Sequence, residues 1–322
     1  MIKKDDFIDI YIKLRQRGLS FLASKLNLKD KKRTKSAFND DALFAAHWWI
    51  IPQVKKRWNS KITGDSNKSY EDHLVEQYFS GKKNLKLLSL GSGICSHELI
   101  LAESDAFSKI TCVDIADKLL KKAQKVAQQK QVTNIEFVAE DLYKLNFEDA
   151  SFDVVFFHAS LHHFKNIEAL LSEKLMKLLK PEGYIVINEY VGANRMQYPK
   201  HQLAAINACI EGIPEKWRIR YKSGHIKNRV TGPGKWRMII ADPSECIESE
   251  QIIPILHEHY KIIEEKAYGG NLLMYALKDL SHHFLETSEE KEQVLDRLFA
   301  LEDAYLKNHP SDFVFGVYQK SK

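Results

Sequence analysis

The sequence is poor in cysteine, with four residues, Cys95, Cys112, Cys209 and Cys246, widely spaced and without a C-x-x-C pair. That pattern signals neither a zinc site nor a disulfide framework, and it points to a reducing, intracellular compartment. There is no apolar run of 18 residues, so no transmembrane helix is expected. The opening "MIKKDDFIDIYIKLRQRG" carries charges throughout and lacks the unbroken apolar core of a signal peptide. A cytoplasmic protein is expected, with an amphipathic first helix able to meet a membrane or a partner. Nor is there a strong excess of charge of one sign: a net +5 gives no whole-chain argument for nucleic acid or membrane binding.

What is present divides the chain. Residues 4–26 place Phe7, Ile8, Ile10, Tyr11, Leu14, Leu19 and Leu22 at helical spacing, followed by the basic break "KDKKRTK". A second helical stretch carries Trp48, Trp49 and Trp58 and is expected to kink or restart at Pro52. Ser69 to Asp72, "SYED", fits a capping box that opens a third helix running to about Phe79. From about residue 85 short apolar runs alternate with amphipathic helices, five strands before residue 191, which argues for βαβ units and a parallel sheet covered on both faces. A basic, mostly helical region follows, and later strands are expected at 260–268 and 311–319. The organisation expected is 1–80 helical extension, 81–192 α/β core, 193–259 basic helical cap insertion and 260–322 completing the core.

In an open α/β sheet, ligands bind outside the carboxyl ends of the strands. Gly91 and Gly93 end the first core strand in "LLSLGSGICSHELI", where missing side chains let the backbone turn and approach a ligand. Asp114 ends the second strand 23 residues after Gly91, a spacing that suits a carboxylate accepting from both ribose hydroxyls. Capping the next helix is the alternative role, for which Asp117 is better placed. Glu140 and Asp141 follow the third strand, where a side-chain oxygen can accept from an adenine amine. Together these strand ends describe an adenosine site. A pyrophosphate dinucleotide would want small residues through G-x-G-x-x-G, and Ser96 flanked by Cys95 and His97 suits it less well.

With these residues the chain resembles the class I S-adenosylmethionine-dependent methyltransferases. The resemblance covers residues 85 to 191 and the C-terminal strands. It implies a Rossmann-like seven-stranded sheet with helices on both faces and S-adenosyl-L-methionine as cofactor. Carried over position by position, Gly91, Ser92 and Gly93 look like the methionine-side motif, Asp114 with Ile115 like the ribose contact, and Asp141 with Leu142 like the adenine contact. "FDVVFFHASLHHF" looks like the fourth strand and its loop, bringing His158 to the cofactor-binding set. Ser89 stands where the family usually has an acid, and Cys95 replaces the usual third glycine. "EYVGANRMQY", "ADPSECIES" and "YGGNL" look like signatures of a bacterial subgroup.

Methyl transfer from a sulfonium needs an in-line nucleophile, a water-poor pocket and a base if the nucleophile is a hydroxyl. The fourth and fifth strand ends offer His158, His162, His163, Glu189 and Tyr190. His162 and His163 lead as bases, since imidazole titrates near neutrality. Glu189 ends an apolar strand, where a carboxylate is costly unless paired or in contact with a polar ligand. No recognised metal-ligand spacing is present, and no metal is expected.

The run 215–237 holds eight lysines or arginines and one acid, with Trp217, Tyr221 and Trp236 interleaved. An anionic small-molecule or glycan-like acceptor is therefore expected, with O-methylation as the reaction. RNA is the second choice, because aromatics among cations can stack on bases. A non-catalytic S-adenosylmethionine-binding protein and a dinucleotide oxidoreductase are the remaining readings. Trp48 and Trp49 either help exclude water from the cofactor pocket or pack the helical preface onto the sheet.

Overall fold

The computed structural model describes Asp6 and residues 47–320. The expected helix over residues 4–26, the basic break at 29–35 and the start of the Trp-rich helix lie outside the described residues, apart from Asp6. Among the described residues no helix is long and apolar enough to cross a membrane.

The chain falls into two compact units. One contains residues 62–191, 247–266 and 314–320. It is built on a seven-stranded sheet of order β3-β2-β1-β4-β5-β7-β6. The five early strands are β1 (Leu85–Leu90), β2 (Phe107–Val113), β3 (Ile135–Val138), β4 (Phe152–His158) and β5 (Leu179–Tyr190). The pairs β1–β2, β1–β4, β2–β3 and β4–β5 are all parallel. β6 (Tyr260–Gly269) and β7 (Phe313–Lys320) supply the expected late strands. Val, Ile, Leu and Phe fill the central strands because both faces are covered. Leu88, Val155, Phe157, Ile185 and Ile187 join a core with Leu171, Leu175 and Leu256 from the helices.

The helix before β1 opens as the sequence predicts. Ser69 caps α2 (Tyr70–Leu74) by accepting from the Asp72 N–H at 3.1 Å, and the helix continues through a π-helical turn, Val75–Phe79. Between β1 and β2 lies α3 (Ser96–Ala102), and between β2 and β3 lies α4 (Asp117–Gln129). Ala116, not Asp117, occupies the N-cap of α4. Asp117 is the first helical residue, and Asp114 instead takes the Ala116 N–H at 2.6 Å.

The other unit holds the described residues up to Lys61 together with 192–246 and 267–313. Its first helix, α1 (Pro52–Thr63), restarts at Pro52 after a short 3-10 turn, Trp48–Ile50. Proline is tolerated there because the first helical N–H has no partner in any case. Helices Lys200–Glu211, Leu273–Leu277 and Glu289–Leu306 surround a core in which Trp48 packs against Trp58 and Phe313. Trp48 is thus a packing residue of this unit, while Trp49 is exposed.

Candidate active site

The order β3-β2-β1-β4-β5 places the reversal of strand order between β1 and β4, where open α/β sheets bind their ligands. The loop after β1 sits at this point. Gly91 and Gly93 adopt φ of 72° and 54°, which side chains disfavour. A Cβ on Gly91 would come within 2.7 Å of the Ser160 Cβ, whereas one on Gly93 would meet nothing within 4 Å. The loop therefore packs tightly on its β4 side and stays open at Gly93.

Asp114 closes the loop from β2. One carboxylate oxygen accepts from the Gly93 N–H at 2.8 Å and the other from Ala116 N–H at 2.6 Å. Burial pushes its pKa upward against these hydrogen bonds. A carboxylate oxygen offers two lone pairs, so each has capacity beyond its backbone partner, and a diol would relieve the desolvation. Ile115 follows it, half-buried. Asp141 caps a 3-10 turn by accepting from the Tyr143 N–H at 3.1 Å, and Leu142 beside it is buried. These residues fit the needs of an adenosine with a polar tail.

The two departures from the family pattern have structural counterparts. Ser89 donates to Glu98 Oε1 at 2.5 Å, so a buried acid reaches this place from α3 rather than from the strand, and burial raises its pKa. Cys95 occupies the N-cap of α3 in the left-handed region, φ 54°, with its thiol fully buried. The backbone keeps the glycine-like turn although the residue is not glycine.

The strand ends of β4 and β5 converge on Glu189, which is fully buried. One of its oxygens accepts from the Ser160 and Leu161 N–H groups at 2.7 and 2.6 Å. The other accepts from the Tyr190 N–H at 2.7 Å and meets His162 Nδ1. Both oxygens are saturated, which leaves Glu189 no lone pair for a substrate proton. It meets the buried His162 ring at Nδ1. His163 lies beside His162 with ring centroids 4.2 Å apart.

His158, at the end of β4, belongs to a cluster the sequence did not single out. Its Nδ1 pairs with the Tyr70 hydroxyl at 2.8 Å, and its ring stacks on His97 at 3.5 Å. His97 Nδ1 in turn meets Glu71 Oε1 at 2.5 Å. Burial, aided by His97, holds His158 well below the usual imidazole range. Only the capping box at Ser69 marked this stretch in the sequence.

The subgroup-like motifs also come together. Arg195 of "EYVGANR" donates to the carbonyls of Pro243 and Glu245 at 2.8 and 2.9 Å, tying that segment to "DPSE". In "YGGNL", a Cβ on Gly269 or Gly270 would strike Glu302 or Phe313.

The basic run 215–237 is largely used internally. Lys227 is buried and donates to the carbonyls of Tyr275, Ala276 and Lys278, at 2.5, 3.1 and 2.7 Å, at the end of a helix. Arg220 pairs with Asp279, Arg237 with Asp6, Lys216 with Glu290 and Arg218 with Asn228. Lys222, Arg229 and Lys235 are exposed. Of the three aromatics, Trp236 is the exposed one, and Trp217 packs on Phe284.

A seven-stranded sheet of this order, with a glycine loop and a strand-end carboxylate at its reversal point, defines a class I S-adenosylmethionine-dependent methyltransferase. A methyltransferase-domain family model matches residues 81–242, half of the chain, and the chain belongs to that family. It is 26% identical over 197 residues to a sterol 4-C-methyltransferase of Caenorhabditis elegans, covering 56% of each protein. It is 31% identical over 131 residues to a demethylmenaquinone methyltransferase of Leptospira interrogans, covering 39% of this chain and 50% of that one. The chain spans about half the length of these curated relatives. Among solved structures, phosphoethanolamine N-methyltransferase 2 of Haemonchus contortus aligns with a TM-score of 0.54 at 15% identity, over 92% of this chain and 61% of that one. That likeness concerns the fold.

Proposed function

We propose that the protein transfers the methyl group of S-adenosylmethionine to a hydroxyl of a small or glycan-like anionic substrate. The observation that carries the reading is the buried Glu189–His162 pair at the ends of β4 and β5. Bound S-adenosylmethionine would supply an electrophilic methyl carbon on a sulfonium. Asp114 would hold the ribose, with Ile115 beside it. Asp141 and Leu142 would border the adenine, and the Gly91–Ser92–Gly93 loop would receive the amino-acid portion.

Glu189 fixes the His162 tautomer with the proton on Nδ1, so Nε2 is the atom that accepts the acceptor's hydroxyl proton. In this assignment Glu189 is a positioning residue and His162 the base. His163 neighbours it and is the second candidate. The burial of the pair keeps water from competing for the proton. The anionic character of the substrate rests on the exposed cations of the basic run, Lys222, Arg229 and Lys235.

A carbon acceptor is the second reading, favoured by similarity to the sterol and demethylmenaquinone enzymes. The same base can deprotonate a hydroxyl whose charge is delocalised onto carbon. Calorimetry with S-adenosylmethionine and S-adenosylhomocysteine, then transfer of a labelled methyl to hydroxylated sugars, nucleotide sugars, quinols and RNA, tests both. Binding followed by a new O-methyl group on a small anionic acceptor is expected. A new C-methyl group moves the assignment to the second reading, activity confined to RNA removes the small-molecule acceptor, and absence of cofactor binding removes the proposal.

A further inference from the structure

The hairpin at 218–227 is turned the opposite way from an ordinary surface hairpin, which packs its apolar face inward. Ile219 and Ile226 form its antiparallel bridge. The Arg220 N–H donates to the His225 carbonyl at 2.8 Å, and the Lys227 N–H donates to the Arg218 carbonyl at 2.7 Å. That pattern makes the two isoleucines a non-hydrogen-bonded pair, with their side chains together on one face. The opposite face is the charged one, and it points inward. Arg220 is buried against Asp279, and Lys227 is buried on the carbonyls of Tyr275, Ala276 and Lys278. A charge is costly to bury unless it is paired, so these bonds fix the hairpin with its apolar pair outward. Ile219 and Ile226 are 39% and 41% exposed.

The helix Lys235–Ala241 repeats the arrangement. Met238 is buried and Arg237 bonds Asp6, while Trp236 and Ile240, one turn apart, are 61% and 51% exposed. Single exposed apolar residues are ordinary, but here two elements of one short segment each turn a cation inward and apolar side chains outward. The exposed charges around them are of one sign. Lys222 lies in the hairpin turn, Arg229 between the two elements and Lys235 beside Trp236. No acidic residue occurs between Glu215 and Asp242.

We propose that this segment docks the protein on an anionic lipid surface. Ile219, Ile226, Trp236 and Ile240 enter the headgroup region, and Lys222, Arg229 and Lys235 meet lipid phosphates. A tryptophan suits that depth because its ring is apolar and its indole N–H is polar. Isoleucines cannot stack on bases as a nucleic-acid platform requires, and a second copy of the chain would set cation against cation. An anionic leaflet matches both the apolar side chains and the charge. The docking goes beyond methyl transfer and stands without it.

The test is co-sedimentation of the full chain with vesicles of phosphatidylcholine alone and with vesicles of equal parts phosphatidylcholine and phosphatidylglycerol. The mixed vesicles are expected to bind about tenfold more tightly or better, and the binding to weaken as salt is added. Ile219→Ser and Trp236→Ser, one in each element, are each expected to weaken it by about fivefold or more. The circular dichroism spectrum of each variant, unchanged from wild type, is expected to show that both remain folded, and Ile226→Ser and Ile240→Ser replace either one that does not. Absence of binding to the mixed vesicles, equal binding to the two kinds of vesicle, or wild-type binding retained by either folded variant overturns the proposal. Binding to a transfer RNA in place of the mixed vesicles, unaffected by both substitutions, overturns it in favour of nucleic acid. The vesicles hold neither S-adenosylmethionine nor a methyl acceptor, so failure here leaves the methyl-transfer reading standing.

Discussion

Two glutamates, one in each unit, are fully buried, and each accepts backbone N–H groups from a bend in the chain. Glu302 takes the N–H groups of Leu272 and Leu273 at 3.0 and 3.2 Å and faces Arg57 at 3.5 Å. Glu189 takes those of Ser160, Leu161 and Tyr190, and its remaining partner is His162. In both cases backbone donors rather than water offset burial, incompletely for Glu302, whose Oε2 accepts no hydrogen bond among the described residues and whose pKa burial raises. The difference lies in that last partner. A guanidinium stays charged at every relevant pH and passes nothing on, whereas an imidazole held at one nitrogen presents a second that can take a proton. A buried acid alone therefore does not mark a catalytic site.

The largest effect that would sharpen the contrast is on turnover. Glu189→Gln replaces an acceptor oxygen with an amide donor facing N–H groups and releases the His162 tautomer. The expected loss in kcat is about 100-fold, with S-adenosylhomocysteine affinity within about twofold of wild type. Equal losses in both would make Glu189 a structural residue like Glu302. Glu302→Gln is expected to act on stability, lowering the unfolding free energy by about 3 kcal/mol, with kcat of the folded protein unchanged. A kcat loss matching that of Glu189→Gln would erase the distinction between the two sites.

A smaller effect separates the units by pH. Asp312, in the unit of Glu302, accepts from Gln202 at 2.7 Å, and burial, with Glu302 nearby, raises its pKa to about 7. An acid that is protonated in the folded state and ionised in the unfolded one binds more protons when folded. Its contribution is therefore present at acid pH and lost as pH rises from about 4 toward 7. Denaturant unfolding across that range should show stability falling with a slope approaching about 1.4 kcal/mol per pH unit, and Asp312→Asn should flatten it. An unchanged slope in Asp312→Asn would assign the dependence to other groups.

The parts of the site legible in the sequence were those built from neighbours in the chain. The strand–loop–helix around Gly91 and the carboxylate at the end of β2 follow from local periodicity and glycine spacing. What escaped is long-range. Tyr70 and His158 are 88 positions apart, and Glu71 and His97 are 26 apart. No pattern in the first member of either pair announces the second. The sequence also offered Glu189 as a base in its own right, because two of the three backbone N–H groups that saturate it, with the His162 ring, come from the distant 160–163 turn and not from its own strand. The basic run reads as free charge in a list of residues. In the folded chain Lys227 caps a helix, and Arg220 and Arg237 neutralise buried acids. Cys95 shows the reverse case: the residue type changed, yet the left-handed backbone turn was kept.

The most direct test of the central claim is made on one preparation each of wild type and His162→Gln, measuring S-adenosylhomocysteine affinity and the rate of methyl transfer to an acceptor found in the screen. The account predicts equal affinity and transfer slower by about 100-fold in the variant. Equal transfer rates in the two proteins would contradict it.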